Sequence, residues 1–322
     1  MNLQVLQASI TWKLWAELPT KLKTGKAIVI NGNVYCGGGW TVGDDLYVIH
    51  CYDPSQDKWT TLPPLPVRWF GLGQVHGKLV AVGGMKKSDN GATNEVYTYD
   101  EQSQKWKQTI PPMPTARESP GVLSLQSAVV VAGGVTPSVS CTNVVEIFKP
   151  DTSQWYRTDP LPAECYHISL VAIGNTCYAL GGCKHPLHLS QSLYVPIDDL
   201  LDNAVHIPAN QTTHSDNSDT RTQSAWKTLP NTPTCRPAAA VLAGKLVALG
   251  GHESSNGGAN KKEIYMYSPS TNSWIYVNDL PAPRSRAAVV TLSSTEILVI
   301  GGRDDDGGRV NTVYKGTLHL KL

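Results

Sequence analysis

The chain has 322 residues, of which 41% are hydrophobic and 16% are charged, so it can bury a large core and is not a disordered, charge-rich protein. Its 27 basic and 26 acidic residues leave a formal net charge of +1, which gives no overall field to attract nucleic acid or an anionic membrane. No apolar run is long enough to span a bilayer. The seven scattered cysteines and the lack of a leader pattern at the N-terminus favour a reduced, cytoplasmic protein.

The first predicted element is a strand within residues 10–19, which carries the sequence WAELP beginning at Trp15. The same Trp-x-x-Leu-Pro pattern returns at Trp59 and Trp226. Related segments, in which a Trp precedes a proline-containing turn, begin at Trp106, Trp155 and Trp274. The N-terminal segment therefore resembles one part of a unit that is repeated along the chain.

A second marker, a short apolar run followed by two glycines, occurs six times at intervals of roughly 50 residues, with one longer interval. The first glycines of these pairs are Gly37, Gly83, Gly133, Gly181, Gly250 and Gly301. The first five pairs have a Trp downstream and the sixth has none. We therefore expect the N-terminal strand, with Trp15, to complete the last unit.

Each unit reads as four strands, a to d. In the second unit, residues 72–76 form strand a, residues 79–82 strand b and residues 95–99 strand c, and Trp106 opens strand d. Helical periodicity is confined to one insertion, so the fold class is all-β. The predicted units are 22–66, 67–114, 115–162, 163–230, 231–281, and 282–322 together with 10–19.

The insertion, residues 196–224, lies between strands c and d of the fourth unit. Its first part places Ile197, Leu200, Leu201 and Ala204 on one helical face and predicts one or two helical turns. The remainder, NQTTHSDNSDTRTQS, is polar and cannot offset its ordering entropy by burial, so we expect it to be mobile.

The register of paired glycines, Tyr and Trp resembles the kelch repeat family over nearly the whole chain. The resemblance implies a six-bladed β-propeller whose N-terminal strand completes the last blade. It also implies a non-enzymatic scaffold that binds protein partners, in substrate recognition or signalling, with no cofactor. An actin-associated protein and an enzyme of the copper-oxidase type are the alternatives. Because about ten residues precede the first strand, we expect a stand-alone propeller or a piece of a larger adaptor assembly.

In such a blade the d–a and b–c loops emerge on one face, and the b–c loops are long here, so we expect the partner to dock on that face. Basic residues recur before strand a and predict a ring that suits an acidic or phosphorylated peptide. Trp40 and Trp69 lie outside the repeat register and are predicted interface residues. The predicted partner-binding residues are Trp40, Arg68, Trp69, Arg117, Tyr166, His167, Arg236, Arg284 and Arg286. The alternative is that the arginines bond local carbonyls or neighbouring acids, and that each Trp packs beneath its loop.

The remaining motifs carry no predicted chemistry. The glycine pairs precede neither a helix nor Gly-Lys-Ser/Thr, so they are structural rather than phosphate-binding. Cys183, His185 and His188 share a loop but lack a fourth zinc ligand. The run from Asp304 to Gly308 lacks the spacing of a calcium loop. We therefore predict no metal, no cofactor and no catalytic residue.

Overall fold

The computed structural model describes residues 7–40, 47–208 and 224–321. In these residues, six antiparallel sheets each carry four consecutive strands, a to d. The strands of blades 1 to 3, in this order, are Lys26–Ile30, Asn33–Gly37, Ile49–Asp53 and Lys58–Thr61; Gly71–Val75, Lys78–Val82, Val96–Asp100 and Lys105–Lys107; and Gly121–Ser124, Val129–Ala132, Val145–Lys149 and Gln154–Thr158. The all-β, six-bladed propeller predicted from the repeats is confirmed. Of the segment expected to be mobile, residues 210–224, all but Ser224 lie outside the described residues.

The second half of the chain repeats the pattern with longer hairpins. The strands of blades 4 to 6 are Ser169–Ile173, Thr176–Leu180, Ser192–Pro196 and Lys227–Leu229; Ala238–Leu242, Lys245–Ser254, Gly257–Ser268 and Ser273–Asp279; and Ala288–Thr291, Glu296–Ile300, Val313–Lys321 and Gln7–Leu14. Two short ribbons pair Val67–Arg68 with Met85–Lys86, and Cys183–Lys184 with Leu187–His188. Both ribbons lie in the d–a and b–c loops.

The hydrophobic core lies between the blades. One cluster joins Val34 and Trp59 of blade 1 to Leu298 and Ile300 of blade 6, all buried. Another joins Val130 and other residues of blade 3 to residues of blade 4. Because each sheet buries both faces against its neighbours, no blade has a core of its own.

The N-terminal strand closes the ring, as predicted. Gln7–Leu14 pairs antiparallel with Val313–Lys321, with Leu14 opposite Tyr314. The pairing continues beyond the strand, since the Trp15 amide donates to the Val313 carbonyl at 2.9 Å. The first and last strands of the chain therefore share one sheet, which removes an open edge between blades.

The register within that strand differs from the sequence prediction, because Trp12 rather than Trp15 occupies the repeated Trp position. Leu65 lies six residues after Trp59, and its amide donates to the Tyr47 carbonyl at 2.7 Å. Leu18 lies six residues after Trp12, and its amide donates to the Asn311 carbonyl at 2.9 Å. The WAELP match therefore aligned the first Leu-Pro of one unit with the second Leu-Pro of another.

The repeated Trp residues lock neighbouring blades together. Trp59, Trp106 and Trp274 each donate an indole N–H to a backbone carbonyl in the strand-d segment of the preceding blade, at 2.8–2.9 Å. Each of these three rings also packs on the Tyr of its own strand c. In blade 3, Phe148 takes the place of that Tyr and packs on Trp155 at 5.3 Å between centroids. The Phe148 departure from the repeat therefore leaves the packing of blade 3 intact.

The described part of the insertion braces two blades. The predicted helical segment is present as Ile197–Asp202, with Leu200 fully buried in the cluster between blades 3 and 4. The Thr158 hydroxyl donates to the Leu200 carbonyl at 2.8 Å. Val205–His206 then pairs with strand d of blade 3 as a fifth strand, which sequence reasoning did not predict. Among the described residues, no helix is both long and apolar enough to cross a membrane.

Ring closure predicts that substitutions at two adjacent residues of the N-terminal strand change the unfolding free energy by very different amounts. Ile10 is 3% exposed and packs in the core between blades 5 and 6, whereas Thr11 is exposed. Ile10→Asp buries a carboxylate and should cost roughly 3–5 kcal/mol of unfolding free energy. Thr11→Asp should stay within about 0.5 kcal/mol, because an aspartate can still accept the hydrogen bond that joins Thr11 to His319. Thermal and chemical unfolding measure the stability of both variants. Equal losses of stability would mean that the strand does not close the ring.

Candidate functional site

Six residues at the start of strand a share a left-handed backbone conformation. Their φ angles lie between 52° and 61°. They are Thr24, Trp69, Ser119, His167, Arg236 and Arg286, and we call them the αL ring. Residues with a bulky Cβ rarely adopt this conformation unless the surrounding structure holds them there, and such residues are concentrated at functional sites.

Backbone hydrogen bonds connect parts of the αL ring from blade to blade. The Thr24 amide donates to the Arg286 carbonyl at 2.7 Å, and the Ser119 amide donates to the Trp69 carbonyl at 2.6 Å. The His167 amide continues this series by donating to the Ser119 carbonyl at 2.9 Å. The side chains of the ring are therefore held at fixed positions around the centre of the propeller.

The αL ring surrounds the mouth of the central channel. Thr24, His167, Arg236 and Arg286 line a channel cavity of about 130 Å³, to which all six blades contribute. Lys26, two residues beyond Thr24, lines the same cavity from strand a of blade 1. The cavity thus collects basic side chains that are far apart in the sequence.

The bases predicted to form one ring occupy three different positions. Arg236 and Arg286 lie in the αL ring, as do the predicted residues Trp69 and His167. Arg68 and Tyr166 each precede the ring by one residue, and the backbone of each pairs with the b–c loop of its blade. Arg117 and Arg284 precede the ring by two residues. The expectation that these bases are radially equivalent is therefore corrected.

Residues two positions before the αL ring are enclosed by protein. Arg117 has no exposed surface, and its guanidinium pairs with Glu146 at 2.6 Å and donates to the Val144 carbonyl at 2.8 Å. Arg284 is 5% exposed and donates to the Pro283 carbonyl at 3.0 Å. Both arginines follow the alternative reading of the sequence, in which they bond carbonyls and acids, and we leave them out of the docking surface.

An aromatic sector lies on the ring side of blades 1 and 2. It consists of Trp40, Trp69 and Arg68. The two indole rings pack with their centroids 4.9 Å apart and their planes tilted by 36°. The Arg68 guanidinium lies 4.6 Å from the Trp69 ring centroid. Arg68 also donates to the Asn90 side-chain oxygen at 2.9 Å and to the Tyr47 hydroxyl at 3.2 Å. Since all three side chains remain partly exposed, they form a preorganised amphipathic surface.

A cationic sector lies on the side of blades 5, 6 and 1. It consists of Lys23, Lys26, Arg236, Arg286, Arg303 and Arg309. Burial, reinforced by Arg286 and other guanidinium groups, lowers the pKa of Lys23 to about 8. Burial and Arg236 lower the pKa of Lys26 to about 8. The same causes lower the pKa of Arg286 to about 10. Burial is the largest cause of each shift, and the neighbouring positive charges add to it.

Histidines from two blades meet beside the cationic sector. His188 stacks on His252 with centroids 4.4 Å apart, and its Nδ1 lies 3.2 Å from the Cys183 sulfur. Burial, followed by the nearby arginines, lowers the pKa of His188 to about 4; burial, His188 and those arginines lower that of His252 to about 3, so both rings are neutral at pH 7. Across the described residues, no three His, Cys, Asp or Glu side chains are arranged to hold a metal ion. His252 was missed from the sequence because it lies in a different blade from Cys183.

Comparisons with known proteins agree with this architecture. The family profile described as "Kelch motif" matches residues 25–66 and 233–281. Kelch-like protein 40 of Xenopus tropicalis is 31% identical over 156 residues, covering 47% of this chain and 25% of the relative. Kelch domain-containing protein 3 of Rattus norvegicus is 23% identical over 331 residues, covering 91% of this chain and 80% of the relative.

The chain therefore carries kelch motifs. The solved structure of YjhT superposes with a TM-score of 0.75 at 16% identity, over 96% of this chain and 99% of that chain, which supports the fold alone. The match to Kelch-like protein 40 covers about a quarter of that protein's length. The activities and partners of those longer proteins are therefore not attributed to this chain.

The paired glycines of this kelch propeller have a steric role. A Cβ at Gly83 would lie 2.4 Å from the Arg117 carbonyl oxygen of the next blade, and a Cβ at Gly250 would lie 2.2 Å from the Arg284 carbonyl oxygen. Both distances are below any real Cβ contact, so only glycine allows the blades to approach this closely. The same contact explains why Arg117 and Arg284 lie between blades rather than at the channel.

The buried charge network of this kelch propeller predicts a non-additive pair of substitutions. Arg117→Met leaves the fully buried Glu146 with the weaker contact to Arg157 at 3.3 Å, and should cost roughly 3–5 kcal/mol. Arg117→Met combined with Glu146→Gln should cost less than the sum of the two single losses, because no unpaired carboxylate remains. Chemical unfolding of the single and double variants measures this coupling. Additive losses would contradict it.

The channel of the kelch propeller predicts one stabilising substitution. Lowering the pKa of Lys26 from 10.5 to about 8 corresponds to about 2 kcal/mol of destabilisation at pH 7, after allowance for the part of the side chain that borders the cavity. Lys26→Met should therefore raise the thermal midpoint in phosphate-free buffer at pH 7. Because the folded-state amine loses its proton first, this advantage should shrink as the pH rises from about 8 to 10.5.

Lys105→Met is the matched control, because Lys105 is exposed on the outer strand of blade 2 and loses the same charge away from the channel. Its thermal midpoint should equal that of the wild type. A Lys26→Met protein less stable than the wild type at pH 7 would show that the Lys26 charge is compensated in the folded state.

Proposed function

We propose that this kelch propeller is a non-enzymatic protein-binding module that docks an acidic or phosphorylated segment of a partner across the b–c and d–a loop face. The observation that carries this proposal is the arrangement around the channel mouth. An aromatic sector adjoins a cationic sector there, since the backbones of Trp40 and Lys23 pair. Each sector takes side chains from the αL ring.

The aromatic sector suits the anchor of such an interface. Trp and Arg are enriched among the residues that contribute most to binding, because they bury large area with few rotatable bonds. Trp40 and Trp69 are already packed against each other, and Arg68 is already held by Asn90. Little side-chain entropy is therefore lost when a partner covers them.

The cationic sector supplies the charge preference. Arg236 and Arg286 come from adjacent blades and line the same cavity, so one acidic group can contact both. A guanidinium binds carboxylate or phosphate through two parallel hydrogen bonds, which adds orientation to charge attraction. A partner segment that places an acidic group at the channel and an apolar residue on the Trp pair would satisfy both sectors.

The chemistry of the loop face supports binding rather than catalysis. The contact between Cys183 and His188 is a thiol beside an imidazole, yet Cys183 is 1% exposed and burial raises its thiol pKa, which disfavours the thiolate. Burial lowers the pKa of His188, so this imidazole is a weak base. These shifts oppose those that a cysteine nucleophile requires.

A displayed library of random and phosphorylated peptides tests the proposal. The wild type should enrich peptides that carry Asp, Glu or phosphoserine near an apolar residue. Arg236→Glu and Arg286→Glu should each weaken the affinity of a selected peptide at least 100-fold, and Trp69→Ala should weaken it about tenfold, roughly a hot-spot loss. Lys105→Glu makes the same charge reversal on the outer strand of blade 2 and should leave the affinity unchanged.

Thermal unfolding of each variant separates loss of binding from loss of the fold. Selected peptides without acidic or phosphorylated residues would contradict the charge preference. Equal affinities for the wild type and Arg286→Glu would contradict the proposed docking surface.

A further inference from the structure

The channel cavity is lined by cations that have no acidic neighbour in it. Lys26, Arg236 and Arg286 come from blades 1, 5 and 6, and none of the described residues that line the cavity is Asp or Glu. Charged groups inside proteins are almost always paired, because an uncompensated charge loses hydration without regaining an equivalent interaction. The cavity therefore has the charge of a site whose counter-ion comes from outside the chain.

Hydrogen-bonding atoms around the cavity are also left without partners among the described residues. The Arg286 Nε atom is buried and has no acceptor, and the buried His167 Nδ1 atom has no partner. Arg236 is 8% exposed and lines the same cavity. A buried polar group without a partner calls for an explanation such as an ion or a ligand. What these atoms lack is an acceptor-rich, negatively charged group.

We propose that the channel binds a single phosphate group, free or carried by a partner segment, between Lys26, Arg236 and Arg286. This inference rests on the cationic sector of the proposed function and names the charge that the sector accepts. A carboxylate neutralises one of the three cations, whereas a phosphate carries close to two negative charges at pH 7 and offers three acceptor oxygens. Three donors from three blades match three oxygens. The cavity, about 130 Å³, has room for the group and for water, since a cavity needs only about 10–15 Å³ to hold a water molecule.

The protonation of both partners sets a pH window for this binding. A phosphate monoester becomes a dianion above its second pKa of about 6, and Lys26 loses its proton above a pKa of about 8. Arg236 and Cys183 are the charged and titratable groups that act on Lys26, and Cys183 stays protonated because burial raises its pKa. His167 faces Lys26, Arg236, Arg286 and His188 and stays neutral in this range, because burial and those cations lower its pKa. Affinity for a phosphate monoester, such as a phosphoserine peptide, should therefore be highest between pH 6 and 8 and fall on either side.

Calorimetric titration of the full chain with inorganic phosphate, in a chloride buffer without other oxyanions, tests the inference. The wild type should bind one phosphate, and acetate should bind at least tenfold more weakly. Lys26→Met and Arg236→Met should each weaken phosphate binding at least tenfold, and Lys105→Met should leave it unchanged. Arg236→Lys should recover part of the loss, because it restores the charge without the two-pronged donor.

A second titration with a phosphoserine peptide selected on the loop face distinguishes the two sources of phosphate. Tighter binding of the peptide than of free phosphate assigns the channel to a group carried by the partner, and the reverse assigns it to a free anion. Equal phosphate affinity in the wild type, Lys26→Met and Arg236→Met, or no phosphate binding at millimolar concentration, would overturn the inference. The proposed function would survive that outcome if acidic peptides still bound and still required Arg286.

Discussion

The close approach of each blade to the next is the constraint on which the rest of the structure depends. At Gly83 and Gly250 a backbone carbonyl of the following blade occupies the space that a Cβ would need. These carbonyls belong to residues two positions before the αL ring, so the contact that joins the blades also sets where the ring begins. Nearer the outer edge, the Trp155 indole bonds blade 3 to the Pro111 carbonyl of blade 2, the pair that Gly83 and Arg117 also join. Blade spacing is therefore fixed from the channel to the rim.

Closure by Gln7–Leu14 extends this constraint around the whole ring. Without that strand, blade 6 would expose the strand edge that pairs with it and the apolar face that Ile10 covers. The main-chain bonds from Thr24 to Arg286 and from His167 to Ser119 span neighbouring blades, so they form only when the blades stand at their final radius. The left-handed backbone of the αL ring is consequently a product of closure rather than of local sequence preference, since Arg and Trp do not favour that conformation on their own.

The fold could be predicted from periodicity because the residues that mark a kelch repeat occupy positions where other residue types do not fit. The glycine pairs and the Trp positions recur for steric reasons, so counting them yields six blades and a shared first and last sheet. The candidate site was predicted less well. Arg68, Arg117 and Arg236 all stand near strand a, yet offsets of one or two residues place them on the Trp pair, between blades and in the channel. Side chains on a β-backbone change face with every residue, so an approximate spacing cannot assign them. The placement of Trp12 failed for a related reason, since the Leu-Pro pair occurs twice in one unit.

The αL ring separates the part of this molecule that repeats from the part that does not. All six positions share one backbone conformation, but their side chains are Thr, Trp, Ser, His, Arg and Arg. A structural requirement alone would select the same small residue in each blade, since a Cβ is unfavourable at positive φ. The two arginines instead add charge where the channel already holds Lys26, which costs stability that a Thr or Ser would not. The free energy released by an incoming anion is the compensation that this arrangement requires, and the asymmetry of the ring gives a bound segment one direction across the face.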